Sequence, residues 1–128
     1  MLAGKICESP SALSLPREKV TSIGLVPNVK TFYESVHSVV APIRFGTGLK
    51  IKVLEALAAG KPILATPHSL EGFPDGISNI VAVRDDPSRW TGDDLVRAVD
   101  AHDPRQQADY INEFFSYSAL RKEVEQFI

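Results

Sequence analysis

The sequence predicts an α/β fold, a Rossmann-like parallel sheet with helices on both faces. Three observations predict it. Short apolar runs rich in β-branched residues alternate with stretches of helical periodicity, the pattern of strands covered by crossover helices. One apolar run, "VVAPI", hands over to a helical run through a loop with two glycines, "RFGTGLK". That helical run stops at Gly60, with Pro62 opening the next apolar run, which is the punctuation of a helix end followed by a strand.

The expected strands are residues 2–6, 20–26, 38–43, 62–66 and 79–83. Residues 8–19 hold three serines and two prolines and read as a loop. Asn28 is a natural cap for a helix whose Val29, Phe32, Tyr33 and Val36 recur at helical spacing. Residues 49–59 are good helix formers, with Ile51, Leu54, Leu57 and Ala58 as the expected apolar arc and Lys52 and Glu55 off it. Asp86-Pro87 opens a further helical stretch carrying Leu95, Val96 and Val99. Residues 104–128 read as a helical tail of one or two helices, broken near 116–118. The whole chain, 1–128, is read as one Rossmann-like domain.

Composition narrows the function. The 128 residues suit a single domain, and 44% apolar content supplies a core. A net charge of −2 argues against nucleic acid as a partner. Cys7 is the one cysteine, so an internal disulfide is excluded and a reducing, cytoplasmic setting is expected. No apolar run is long enough to span a bilayer. His37, His68 and His102 are scattered, so no metal site is expected; His68 merits attention because "TPHSLEG" follows a strand. Asp85, Asp86, Asp93 and Asp94 read as helix-start charges.

The glycine loop carries the chemistry. In open parallel sheets, ligands bind beyond the carboxyl ends of the strands, where residues 44–48 fall. Gly46 and Gly48 let the backbone turn sharply and approach a ligand closely. The helix that follows presents free N–H groups and the positive end of its dipole, an anion site suited to phosphate. Arg44, Lys50 and Lys52 add positive charge. With the helix starting at Leu49, Glu55 lies about 9 Å along it, the distance of a ribose attached to a phosphate at the tip. A carboxylate there can accept hydrogen bonds from two ribose hydroxyls. The bland readings stand beside these: a Gly-x-Gly turn with no ligand, and a glutamate that is only solvated or ion-paired.

The phrase "APIRFGTGLKIKVLEALAAGKPILATPHSLEG" resembles the donor-binding, C-terminal half of GT-B-fold glycosyltransferases of the group 1 family. The likeness covers most of residues 2–100 and is strongest over 39–72. It implies that the chain binds a nucleotide-diphosphate sugar as donor substrate, with no further cofactor. It implies that Gly46, Thr47, Gly48, Leu49 and Lys50 hold the diphosphate and Glu55 the ribose. Ile23, Gly24 and Leu25 match the strand end beside the nucleobase. Arg44 and Lys50 are the cations here that could offset charge on the leaving diphosphate.

The sequence departs from the family pattern at three places. Thr47 stands where many members carry a second glutamate, eight positions before Glu55, so no carboxylate contact to the donor sugar is implied there. The family's first strand, with the Arg and Lys that follow it, would precede residue 1. So would the acceptor-binding domain. The resemblance therefore implies a fragment of a glycosyltransferase of polysaccharide or lipopolysaccharide type, inactive alone. An acceptor glycan or lipid-linked glycan would be reached through the other domain, and the parent protein would sit at the inner face of the membrane. A homodimer is expected to cover apolar surface left by the missing domain. Two alternatives remain in the sequence: a non-catalytic nucleotide-binding scaffold, and one subunit of a split glycosyltransferase.

Overall fold

A computed structural model of the chain describes residues 1–127. The chain forms two compact units, Met1–Val36 and His37–Ile128, each taken here by itself. In the first, the strands expected at 2–6 and 20–26 shrink to a single parallel bridge, Leu2↔Ser22. Three backbone bonds hold it: Leu2 N–H to the Thr21 carbonyl at 2.8 Å, Ile23 N–H to Leu2 at 3.0 Å and Gly4 N–H to Gly24 at 2.6 Å. The pairing stops because Gly4 and Gly24 both turn to positive φ, 91° and 69°, outside the extended region. The expected loop at 8–19 contains a short helix, α1 (Pro10–Leu13), because Ser9 caps it by accepting the Ala12 N–H. Asn28 caps α2 (Val29–Glu34) as expected. Of its predicted face, Tyr33 is buried and Val29 exposed, and Val36 lies beyond the helix end.

The second unit contains a three-stranded parallel sheet in the order β1 (Val39–Ala41), β2 (Ile63–Ala65), β3 (Ala82–Val83). Val39 pairs with Ile63 and Leu64 with Ala82. All three residues of β2 are buried. Side chains alternate across a strand, so both faces of the sheet are covered at its centre. The α3 (Ile51–Ala58) and α4 (Gly92–Asp100) helices both contact β2. β3 is shorter than the expected 79–83 because Gly76, at φ 93°, starts a 3-10 turn at Ile77–Asn79.

Two corrections concern α3. It starts at Ile51, two residues later than expected. Its buried residues are Val53, Ala56 and Leu57, whereas Ile51 and Ala58 are exposed. The buried face is therefore turned relative to the predicted arc. Val53 and Leu57, at i and i+4, are both buried, on a helix that contacts β2 and α5, so truncating Leu57 to Ala would cost about 2–5 kcal/mol.

The tail is two helices, α5 (Pro104–Phe115) and α6 (Tyr117–Phe127), divided at Ser116 as expected. Ser116 breaks α5 with extended backbone, and its hydroxyl accepts the Ala119 N–H to start α6. Two buried polar side chains fasten α5. Gln107 is fully buried; its amide donates to the Lys61 carbonyl at 2.9 Å, and its oxygen lies 3.1 Å from His102 Nε2. Tyr110 donates its hydroxyl to the Pro74 carbonyl at 2.7 Å and packs against Phe114 and Phe115. Among the described residues, no helix is long and apolar enough to cross a membrane.

Burial, with the nearby charges of Asp75 and Glu113, pushes the Tyr110 phenol from 10.0 up to about 12. The folded state holds this proton more tightly than the unfolded chain. Its contribution is complete below pH 10 and is lost as pH rises through about 12. Tyr110→Phe should remove that alkaline loss and lower stability at neutral pH by about 0.5–1.5 kcal/mol, the worth of the bond to Pro74. Urea melts of both proteins across neutral and alkaline pH check this; parallel pH curves would contradict it.

Candidate functional site

The site begins where β1 ends. The β1–β2 pairing runs as far as Ala41. Hydroxyls from the turn after β2 take over. The Ala41 carbonyl accepts the Thr66 N–H at 3.2 Å and the Ser69 hydroxyl at 2.5 Å. The Ile43 N–H donates to Ser69 Oγ at 3.3 Å, and the Thr66 hydroxyl donates to the Ile43 carbonyl. Thr66 and Ser69 are 2% and 0% exposed, so water cannot replace these bonds. Thr66 also caps the 3-10 turn Pro67–Leu70, which fixes the direction of everything after it.

Beyond Ile43 the loop runs irregularly to Lys50. Gly46 and Gly48 have φ of 105° and 74°, so each needs the freedom of glycine. The Lys50 ammonium folds back on its own loop and donates to the Gly48 carbonyl at 2.7 Å and the Gly46 carbonyl at 3.2 Å. His68 Nε2 lies 2.8 Å from the same Gly46 oxygen, and its Nδ1 lies 3.0 Å from Glu71 Oε1. Gly72 then approaches the loop so closely that a Cβ on it would sit 3.0 Å from Leu49 N. The segment 66–72 thus grips the loop at Ala41–Ile43, at Gly46 and at Gly48–Leu49.

These grips orient N–H groups. A peptide is planar and trans here, so its C=O and N–H point in opposite directions. With the Gly46 and Gly48 carbonyls turned to Lys50, the N–H groups of Thr47 and Leu49 point away from it. They run into the start of α3, whose first turn has no side-chain cap. The dipole end and these donors share one polarity, that of an anion site.

Glu55 lies one turn into α3, about 6 Å from its start, nearer than the sequence suggests because the helix begins later. Its carboxylate is 3.0 Å from the Lys52 ammonium and its side chain is 28% exposed, so it can still reach a ligand. Arg44 and Phe45 are exposed on the loop, Phe45 at 85%. Asp86 is held below the usual carboxylate range by hydrogen bonds from Ser88, with smaller contributions from Arg44 and Arg89. Asp94 is lowered chiefly by the Thr91 N–H within a capping box, and it also pairs with Arg84 at 3.1 Å. These acids serve helix starts. Among the described residues no three His, Cys, Asp or Glu side chains gather as a metal site would require.

The structure therefore brings Gly46, Thr47, Gly48, Leu49, Lys50 and Glu55 into one stretch of the second unit. Ile23, Gly24 and Leu25 belong to the first unit, where Ile23 and Leu25 are exposed. The Lys50 ammonium is engaged by the loop carbonyls. Thr66, Ser69 and Gly72 were not singled out as site residues from the sequence. The signal for them was present in "TPHSLEG", a Thr-Pro helix start followed by glycine.

Gly72→Ala and Gly60→Ala separate close approach from backbone conformation. Both glycines have positive φ, but nothing lies within 4 Å of a Cβ on Gly60. Gly60→Ala should cost about 1–2 kcal/mol of stability. Gly72→Ala should cost more, by a further 1 kcal/mol or so, because the loop must shift. Equal melting-curve losses would mean the approach to Leu49 is not tight. Ser69→Ala, which strands the Ile43 N–H, should cost about 1–3 kcal/mol by the same measurement.

Comparison with known proteins agrees with the motif. The model of the family described as Glycosyl transferases group 1 matches residues 1–111. No curated protein and no solved structure matches the chain. The family match covers the glycine loop, α3, Glu55 and the turn that shapes the loop, together with the small parallel sheet they stand on. On this match, the chain belongs to the group 1 glycosyltransferase family.

Proposed function

We propose that the chain is a donor-binding module that holds a nucleotide-diphosphate sugar for transfer to a hydroxyl acceptor. The diphosphate lies against the N–H groups of residues 46–50 and the start of α3. Glu55 accepts hydrogen bonds from the ribose hydroxyls, exchanging its pairing with Lys52 for them or sharing it. The acceptor is a glycan or lipid-linked glycan brought by a separate domain of a longer protein. The observation that carries this reading is the loop itself: two carbonyls held by Lys50 turn two N–H groups the other way, directly before an uncapped helix start.

The same geometry supports a mechanism. Negative charge grows on the leaving diphosphate during transfer, and donors fixed beforehand stabilise it without reorganising. Arg44, exposed on the same loop, is a cation that adds to them. Lys50 acts mainly by holding the loop, so its replacement should weaken diphosphate binding through loop shape.

Calorimetric titration with UDP, GDP, ADP and CMP tests the reading. One nucleoside diphosphate should bind best, and Glu55→Ala should weaken it at least tenfold, the value of about 1.5–3 kcal/mol for hydrogen bonds to a carboxylate. Equal affinity of the variant would remove Glu55 from the site. No binding by any of the four would contradict a donor site formed by this chain.

A further inference from the structure

The His68–Glu71 pair stands outside the donor contacts, yet it touches the loop that makes them. His68 Nε2 faces the Gly46 carbonyl at 2.8 Å and Nδ1 faces the Glu71 carboxylate at 3.0 Å. Both partners are acceptors. A neutral imidazole has one N–H and can serve only one of them; an imidazolium serves both. The other charged group at this oxygen is Lys50, which donates to the Gly46 carbonyl at 3.2 Å. The ring is only 26% exposed, whereas Glu71 is 60% exposed. The imidazole is therefore the firmly held member, with the carboxylate as its outer counter-charge.

We infer that His68 and Glu71 are positioning residues that latch the glycine loop through the Gly46 carbonyl. The inference rests on the donor-site reading for its ligand, a nucleoside diphosphate, but its structural part stands on the contacts alone. Holding the Gly46 oxygen sets the plane of the Gly46–Thr47 peptide and with it the direction of the Thr47 N–H. Without the imidazole the loop keeps Lys50 as its remaining hold on Gly46, so such a latch sets diphosphate affinity through a group that never touches the ligand.

Three proteins test this: the wild-type chain, His68→Ala and His68→Gln, whose amide retains one donor. The tightest of UDP, GDP and ADP is titrated against each, beside its parent nucleoside. His68→Ala should bind the diphosphate about fivefold more weakly, by loss of the bond to the Gly46 carbonyl, and the nucleoside unchanged. His68→Gln should recover part of the loss. Unchanged binding by His68→Ala, or an equal loss in His68→Ala and His68→Gln, overturns the inference. If the wild type binds no nucleotide, the donor reading fails and the latch is read from amide exchange of Gly46–Leu49 instead. Faster exchange in His68→Ala then upholds the latch, and identical exchange overturns it.

Discussion

The loop between β1 and α3 has no neighbouring strand to shape it, because the β1–β2 pairing ends at Ala41. Its form has to come from outside, and the segment Thr66–Gly72 supplies it. Two buried hydroxyls take the place of the missing ladder bonds. One histidine holds the Gly46 carbonyl, and one glycine lets Leu49 pack against its bare backbone. The core makes this rigid: β2, from which the segment emerges, is buried on every residue. Displacing any of these contacts moves N–H groups that the loop cannot reposition by itself.

The electrostatics follow from the same contacts. Lysine is the side chain expected to meet a phosphate directly, yet Lys50 is turned onto two carbonyls. That arrangement removes a mobile point charge and leaves fixed dipoles facing the other way. Fixed dipoles discriminate geometry better than a flexible ammonium, since they lose nothing in orienting. Glu55 sits one turn further, its carboxylate 3.0 Å from the Lys52 ammonium. On the proposed reading a bare carboxylate there would repel a diphosphate, and the pairing moderates that.

Much of this was legible beforehand because it depends on local chemistry. Asn28 as a cap, Gly60 as a helix end, the break at Ser116 and the glycine loop ahead of a helix each follow from neighbouring residues. The errors lie where distant residues decide. Residues 2–6 and 20–26 look extended, but two positive-φ glycines cut their pairing to one bridge. The buried face of α3 was misplaced because Ile51 lies at the helix start, beside the loop rather than over the sheet. The roles of Thr66, Ser69 and Gly72 depend on partners some 20 residues away, which no local pattern displays.

The central claim is that the N–H groups of the loop and the first turn of α3 receive the diphosphate. Backbone amide NMR shifts during titration with the preferred nucleoside diphosphate test it most directly. The account predicts that the largest changes fall on Thr47, Leu49, Lys50 and Ile51, with Glu55 following. Large changes elsewhere in the chain, with those amides unmoved at saturation, would contradict it.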